Sequence, residues 1–126
     1  MKKQLFSIAI LLSLVSAVVP VHAHHSAAMY DHEKDVTVDG TVKEWQWTNP
    51  HVFLQVLVTD SKGVTTEWSI EGGALTNMKR AGWERTAFNF GDKVTVVFHP
   101  LKSGAPGGTV ITAINKTTGK TYEYHG

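Results

Sequence analysis

Residues 52–70 read VFLQVLVTDSKGVTTEWSI. Val52, Leu54, Val56 and Val58 recur every second position, and their opposite parity carries Phe53, Gln55 and Leu57, with His51 just before. A period of two marks a β-strand with one buried face. Asp60-Ser61-Lys62-Gly63 is a hairpin turn. Val64, Thr66, Trp68 and Ile70 then share one face of the returning strand. Glu67 and Glu71 fall on the outward parity with Ser69, where they are expected to be solvated.

Working back from this hairpin, Val36, Val38, Gly40 and Val42 alternate with polar residues and predict an earlier strand. Gly40 within it points to a bend or bulge. Trp45 and Trp47 continue the alternation one register out, which a bulge near Lys43-Glu44 reconciles. Thr48-Asn49-Pro50 is a turn. Working forward, Gly72-Gly73 breaks the third strand. Ala74 to Ala81 reads as a short helix with Leu75, Met78 and Ala81 on one side, stopped by Gly82. Residues 83–90 lead to a turn at Gly91-Asp92. Val94, Val96 and Phe98 mark a fourth strand, 109–115 a fifth, and Tyr122 and Tyr124 a short sixth.

Three strands, one short helix and two or three further strands make a mainly β chain. Short strands joined by glycine-rich turns favour closure, which removes exposed edges. The expected architecture is a small five- to six-stranded barrel over residues 36–126. It is like the oligonucleotide/oligosaccharide-binding (OB) barrel, with the helix between strands 3 and 4. A small open β-sandwich is the competing arrangement.

The chain has 126 residues, no cysteine, and 12 Lys+Arg against 11 Asp+Glu, a formal net charge of +1. Disulfides and thiolate metal sites are excluded. The balanced charge argues against a nucleic-acid partner. Lys2 and Lys3 precede an apolar run from Leu5 to Val19, which Pro20 ends and Val21-His22-Ala23 follows. This pattern predicts a signal peptide over residues 1–23. The expected location is therefore periplasmic or secreted, with membrane contact only during export. Residues 24–35 are polar and aperiodic and read as an N-terminal arm.

Cleavage after Ala23 makes His24 the first residue of the mature chain. Its α-amine and ring nitrogen can then chelate one ion, and copper favours such nitrogen-rich, tetragonal sites. The α-amine, with a reference pKa of about 7.7–8.0, deprotonates for binding more readily than a lysine. His25, His32 and His51 are candidate further ligands, with Met29 a soft donor for Cu(I). His25 has a second mode through its own amide and the terminal amine. His51 follows Asn49-Pro50 at a strand start, where the proline holds the backbone in one direction. His99 reads as surface and His125 as a frayed end.

Trp68 and Phe98 sit on apolar parities and read as core. Trp45, Trp47 and Phe53 are candidates for a stacking face that takes a glycan, lipid or peptide. There is no G-x-S-x-G turn and no phosphate-cradling loop. No acid–base pair stands out, so the residues point to a binding protein rather than an enzyme. A metal oxidase stays open if copper is held with a vacant position.

His24-His25-Ser26, Gly40-Thr41-Val42, Trp47-Thr48-Asn49-Pro50-His51, Trp68, Gly82-Trp83 and Gly91-Asp92 together resemble an uncharacterised family of small secreted bacterial proteins, domain of unknown function 6152. The resemblance spans nearly all of the mature chain and departs from the family pattern over residues 98–108 and in the short, glycine-rich segment between Ile70 and Leu75. It implies export and a β-barrel, and it groups His24, His25 and His51 as one set. The reading from sequence is thus a periplasmic copper-type binding protein with His24, His25 and His51 as ligands, for storage, delivery or sensing. Its partners would be the metal or a small ligand, and another periplasmic protein. The alternative is a module that binds a non-metal ligand through Trp45, Trp47 and Phe53.

Overall fold

A computed structural model describes residues 27–126. The predicted signal peptide, His24 and His25 lie outside the described residues. A 3-10 turn at Ala27–Met29 precedes strands β1 (Val36–Gln46), β2 (Phe53–Thr59) and β3 (Thr65–Glu71). Helix α1 (Leu75–Arg80) follows, then β4 (Lys93–Pro100), β5 (Gly107–Asn115) and β6 (Lys120–Glu123).

The strands hydrogen-bond in the order β3-β2-β1-β4-β5-β6. A parallel pairing of β3 with β5, from Ser69 opposite Gly107 to Glu71 opposite Thr109, closes the first five into a barrel. β6 is an extra strand on the outer side of β5. The OB-like barrel with one short helix between β3 and β4 is therefore the fold, and the open sandwich is not.

The alternating pattern decides which side chains enter the barrel. Val42, Val52, Leu54, Val56, Ile70, Val94, Val96 and Phe98 are each at most 2% exposed. Each such side chain contributes about 1.5–3 kcal/mol relative to an exposed one. The expected bulge lies at Lys43: the β1–β2 register skips between Val42 and Glu44. That skip lets both Val42 and Trp45 turn toward the core. Gly40 does not form the bulge. A Cβ there would strike the Leu57 carbonyl and the Val56 side chain, so glycine is required by close approach.

α1 begins beside the 48–50 turn. The Asn49 Oδ1 accepts the Leu75 amide at 3.0 Å, capping one of the helix's unpaired N–H groups. Met78 is the helix's fully buried residue. The 83–90 connection buries Trp83, Ala87 and Phe88, and the Trp83 and Phe88 rings pack with Tyr122. Asn115, also fully buried, donates to the Ala87 carbonyl at 3.0 Å and to Asp92 Oδ2 at 2.7 Å.

The arm is tied down where it is described. Tyr30 forms a bridge with Leu101. The Asp31 amide donates to the Pro100 carbonyl at 2.8 Å, and the Lys102 amide to the Met29 carbonyl at 2.9 Å. Residues 29–31 thus add a stub of strand to the end of β4, which carries Tyr30 over one end of the barrel.

Candidate functional site

The site grows from a buried carboxylate. Glu71 is the last residue of β3 and is 6% exposed. Parity alone puts it outward, and the expectation that it is solvated is corrected here. The arm's Tyr30, itself 7% exposed, lies over it, and the Tyr30 hydroxyl donates to Glu71 Oε2. His51 Nδ1 pairs with the other oxygen, Oε1. Glu67, four residues earlier on the same parity, is exposed and pairs with Lys43 at 2.6 Å.

The backbone fixes this geometry. The Val52 amide donates to the Gly73 carbonyl at 3.0 Å, and the Gly72 amide to the Val52 carbonyl at 2.9 Å. These two bonds extend the β2–β3 ladder past the named strands and hold His51 beside Glu71. A Cβ on Gly73 would collide with the Tyr124 ring, so the glycine lets that ring close against the chain.

The phenol of Tyr30 is pushed well above the ordinary tyrosine value. Burial is the main cause, followed by its hydrogen bond to Glu71 and the negative charge there. The phenol is thus a neutral donor. Beside the Glu71 carboxylate, His51 presents Nδ1–H, which fixes the tautomer of the neutral ring and leaves Nε2 unprotonated.

These groups line one cleft of about 520 Å³. Tyr30, His51 and Glu71 share its wall with His32, His99 and Tyr124, and His125 and Ala27 also border it. The arrangement concentrates imidazoles around one buried carboxylate. Among the described residues, no group of three or more His, Asp or Glu side chains is placed to hold a metal ion. A metal in the cleft would need a donor in addition to these.

Of the residues expected from sequence, His51 is in the cleft, half-buried and supported by Glu71. His24 and His25 lie outside the described residues; Ala27, three residues after His24, borders the cleft. Trp45, Trp47 and Phe53 do not line it. Trp45 packs with Trp47, Trp83 and Phe88 at ring separations of 5.5, 5.9 and 5.3 Å. Its indole N–H donates to the Glu84 carbonyl at 3.0 Å. His99, read as surface, is a half-buried wall of the cleft.

Sequence reasoning missed Tyr30 and Glu71. Tyr30 is an aromatic in a polar, aperiodic arm, and Glu71 stands directly before Gly72-Gly73. An apolar ring in an otherwise polar arm, and a carboxylate at a strand end beside two glycines, are the signals that could have drawn attention to them.

No curated protein and no solved structure matches the chain. A family model matches residues 11–112, most of the chain. The chain therefore belongs to the family of unknown function DUF6152.

Proposed function

We propose that this is an exported, periplasmic copper-binding protein whose site joins the mature N-terminus to the cleft. The α-amine and ring of His24 chelate the ion, and the His51 ring supplies a nitrogen from the barrel. His25 is a further donor, through its ring or its amide. The observation that supports this reading is the hold on His51: a buried carboxylate grips its Nδ1 at the wall of the cleft. Metal-binding histidines are characteristically held this way from their second nitrogen.

Chain length is compatible with the reading. Ala27 is three residues on from His24, a span of at most about 11 Å. Ala27 borders the cleft that holds His51. Nitrogen donors in this number suit copper, which binds such ligands more tightly than other divalent first-row ions. The absence of a recognisable nucleophile or acid–base pair in the sequence favours storage, delivery or sensing over turnover. A stacking face built on Trp45, Trp47 and Phe53 draws less support, because both indoles pack against the core.

The test uses protein purified from its exporting host. Intact mass establishes the first residue, and fractionation establishes the compartment. Cu(II) affinity is then measured by chelator competition for the native chain, for a chain with one alanine inserted before His24, and for His51→Ala. The proposal expects tight one-to-one binding that weakens at least about 100-fold in both variants, the upper range for loss of a mere supporting group. Equal affinity in all three would overturn it.

A further inference from the structure

We infer that the cleft binds a small oxyanion, a sulfate, phosphate or carboxylate group, when His32 and His99 are protonated. Neither ring belongs to the metal set of His24, His25 and His51, so the inference stands apart from the copper reading.

The sheet register builds the floor of this site. Thr109 of β5 lies opposite Glu71 of β3 on one side and opposite His99 of β4 on the other. Residues opposite one another in a sheet project from the same face. His99, Thr109 and Glu71 therefore form one row across three strands. The arm adds His32. Its pairing with the end of β4, through the Tyr30–Leu101 bridge and the Asp31–Pro100 hydrogen bond, sets the His32 ring against that of His99. The ring centres are 4.9 Å apart. All four residues border the cleft, as does Tyr124.

The polar groups left over are donors. Glu71 is buried, and its two oxygens are taken by Tyr30 and His51. No other carboxylate borders the cleft among the described residues. The Thr109 and Tyr124 hydroxyls make no hydrogen bond among the described residues. Each ring is anchored by one nitrogen: His32 Nε2 meets the Ala27 carbonyl and His99 Nδ1 the Lys34 carbonyl, both at 2.9 Å. A protonated imidazole carries an N–H on both nitrogens, so each ring keeps a second N–H beyond its anchor. Such N–H groups make short, strong hydrogen bonds to oxyanions.

The charges add to this. Two positive rings side by side in a concave wall focus a positive potential there, and an anion beside them offsets their mutual repulsion. His125 puts a third imidazole on the cleft, with the Glu123 carboxylate 3.8 Å from it. Asp35, largely exposed, stands 3.1 Å from the anchored nitrogen of His99. Lys34 pairs with Asp31 at 3.1 Å, and Glu33 and Lys102 flank His32 in the adjoining groove. Imidazoles ordinarily gain their proton between about pH 8 and pH 5, so the site fills in acid and empties in base.

The test is a sulfate titration of metal-free, chelator-treated protein followed by nitrogen-15 NMR at constant ionic strength, at about pH 5.5 and about pH 8. Sulfate keeps its charge over that range, so a pH dependence belongs to the protein. Saturable shifts are expected at His32, His99 and Thr109. Affinity should be at least about 10-fold higher in acid, the change that one coupled proton gives per pH unit. At the lower pH, His32→Phe and His99→Phe keep a ring but lose the charge. Each should cost about 10-fold, the worth of a hydrogen bond to a charged group. Thr109→Val keeps the branched shape and should cost about 3-fold with the pH dependence intact. Circular dichroism confirms that the variants are folded. No metal is present, so failure of the copper reading leaves these results unchanged. Absence of saturable binding at the lower pH, equal affinity at the two pH values, shifts centred on surface lysines, or parent-like binding by both phenylalanine variants would each overturn the inference.

Discussion

Replacing Tyr30 with phenylalanine removes one oxygen and isolates the bond that ties the arm to the barrel. The phenylalanine ring keeps the burial, since Tyr30 is only 7% exposed. What is lost is the hydroxyl's hydrogen bond to the Glu71 carboxylate. Hydrogen bonds to charged groups are worth about 1.5–3 kcal/mol, and the buried carboxylate gains no water in exchange. A loss of about 2 kcal/mol is therefore expected. Urea unfolding followed by tryptophan fluorescence should show it as a lower midpoint with an unchanged slope. Tm should fall by about 8–16 °C for a domain of this size. If the arm opens locally instead, exchange of the Asp31 and Lys102 amides should quicken about 30-fold, because both are bonded across the arm–barrel junction. Tyr124→Phe is the control, as that hydroxyl makes no hydrogen bond among the described residues. The reasoning is refuted if Tyr30→Phe stays within about 0.5 kcal/mol of the native protein with unaltered exchange, or if its cost is the same in a Glu71→Gln background.

Glu71→Gln should weaken Cu(II) binding roughly 10–100-fold without removing a ligand, the usual cost of losing a support behind a metal-bound histidine; competition titration reads it. Asn115→Ala should cost about 3 kcal/mol in urea unfolding, because it takes a partner from the Ala87 carbonyl and from the two amides bonded to Asn115 Oδ1, and leaves Asp92 Oδ2 with the Asn89 amide. Alkaline pH should loosen the arm. Tyr30 in the folded chain titrates above its ordinary value of about 10, so its contribution is full below that pH and is lost as pH rises past it. A pH series of unfolding midpoints should slope downward there, less steeply in Tyr30→Phe. Part of the slope should remain, since burial also raises Tyr122.

The strands were readable because a half-buried sheet writes its geometry at a period of two. Val52 to Val58 and Val94 to Phe98 carry that pattern plainly, and the offset between Val42 and Trp45 located the bulge at Lys43. Gly40 was legible as special but for a different reason. The Leu57 carbonyl that excludes a side chain belongs to another strand, so no local pattern announces it. The same limit hid Glu71. Its parity is outward, and it is covered by Tyr30 from the returning arm and by His51 from the 48–51 turn. The arm has no periodicity because it makes a single bridge, at Tyr30, rather than a strand. His51 stood out because Asn49-Pro50 marks a rigid strand start. The pairing of His32 with His99 depends on the arm's register against β4 and leaves no trace in either local sequence.

The central claim is that a barrel histidine completes a copper site begun at the chain's first residue. The most direct measurement is electron paramagnetic resonance of the one-to-one Cu(II) complex, comparing native protein with His51→Ala and with the ring nitrogens isotopically labelled. The account predicts a tetragonal signal with three coupled nitrogens, one of which disappears when His51 is removed. An identical nitrogen pattern in the two proteins would contradict it and would place copper elsewhere.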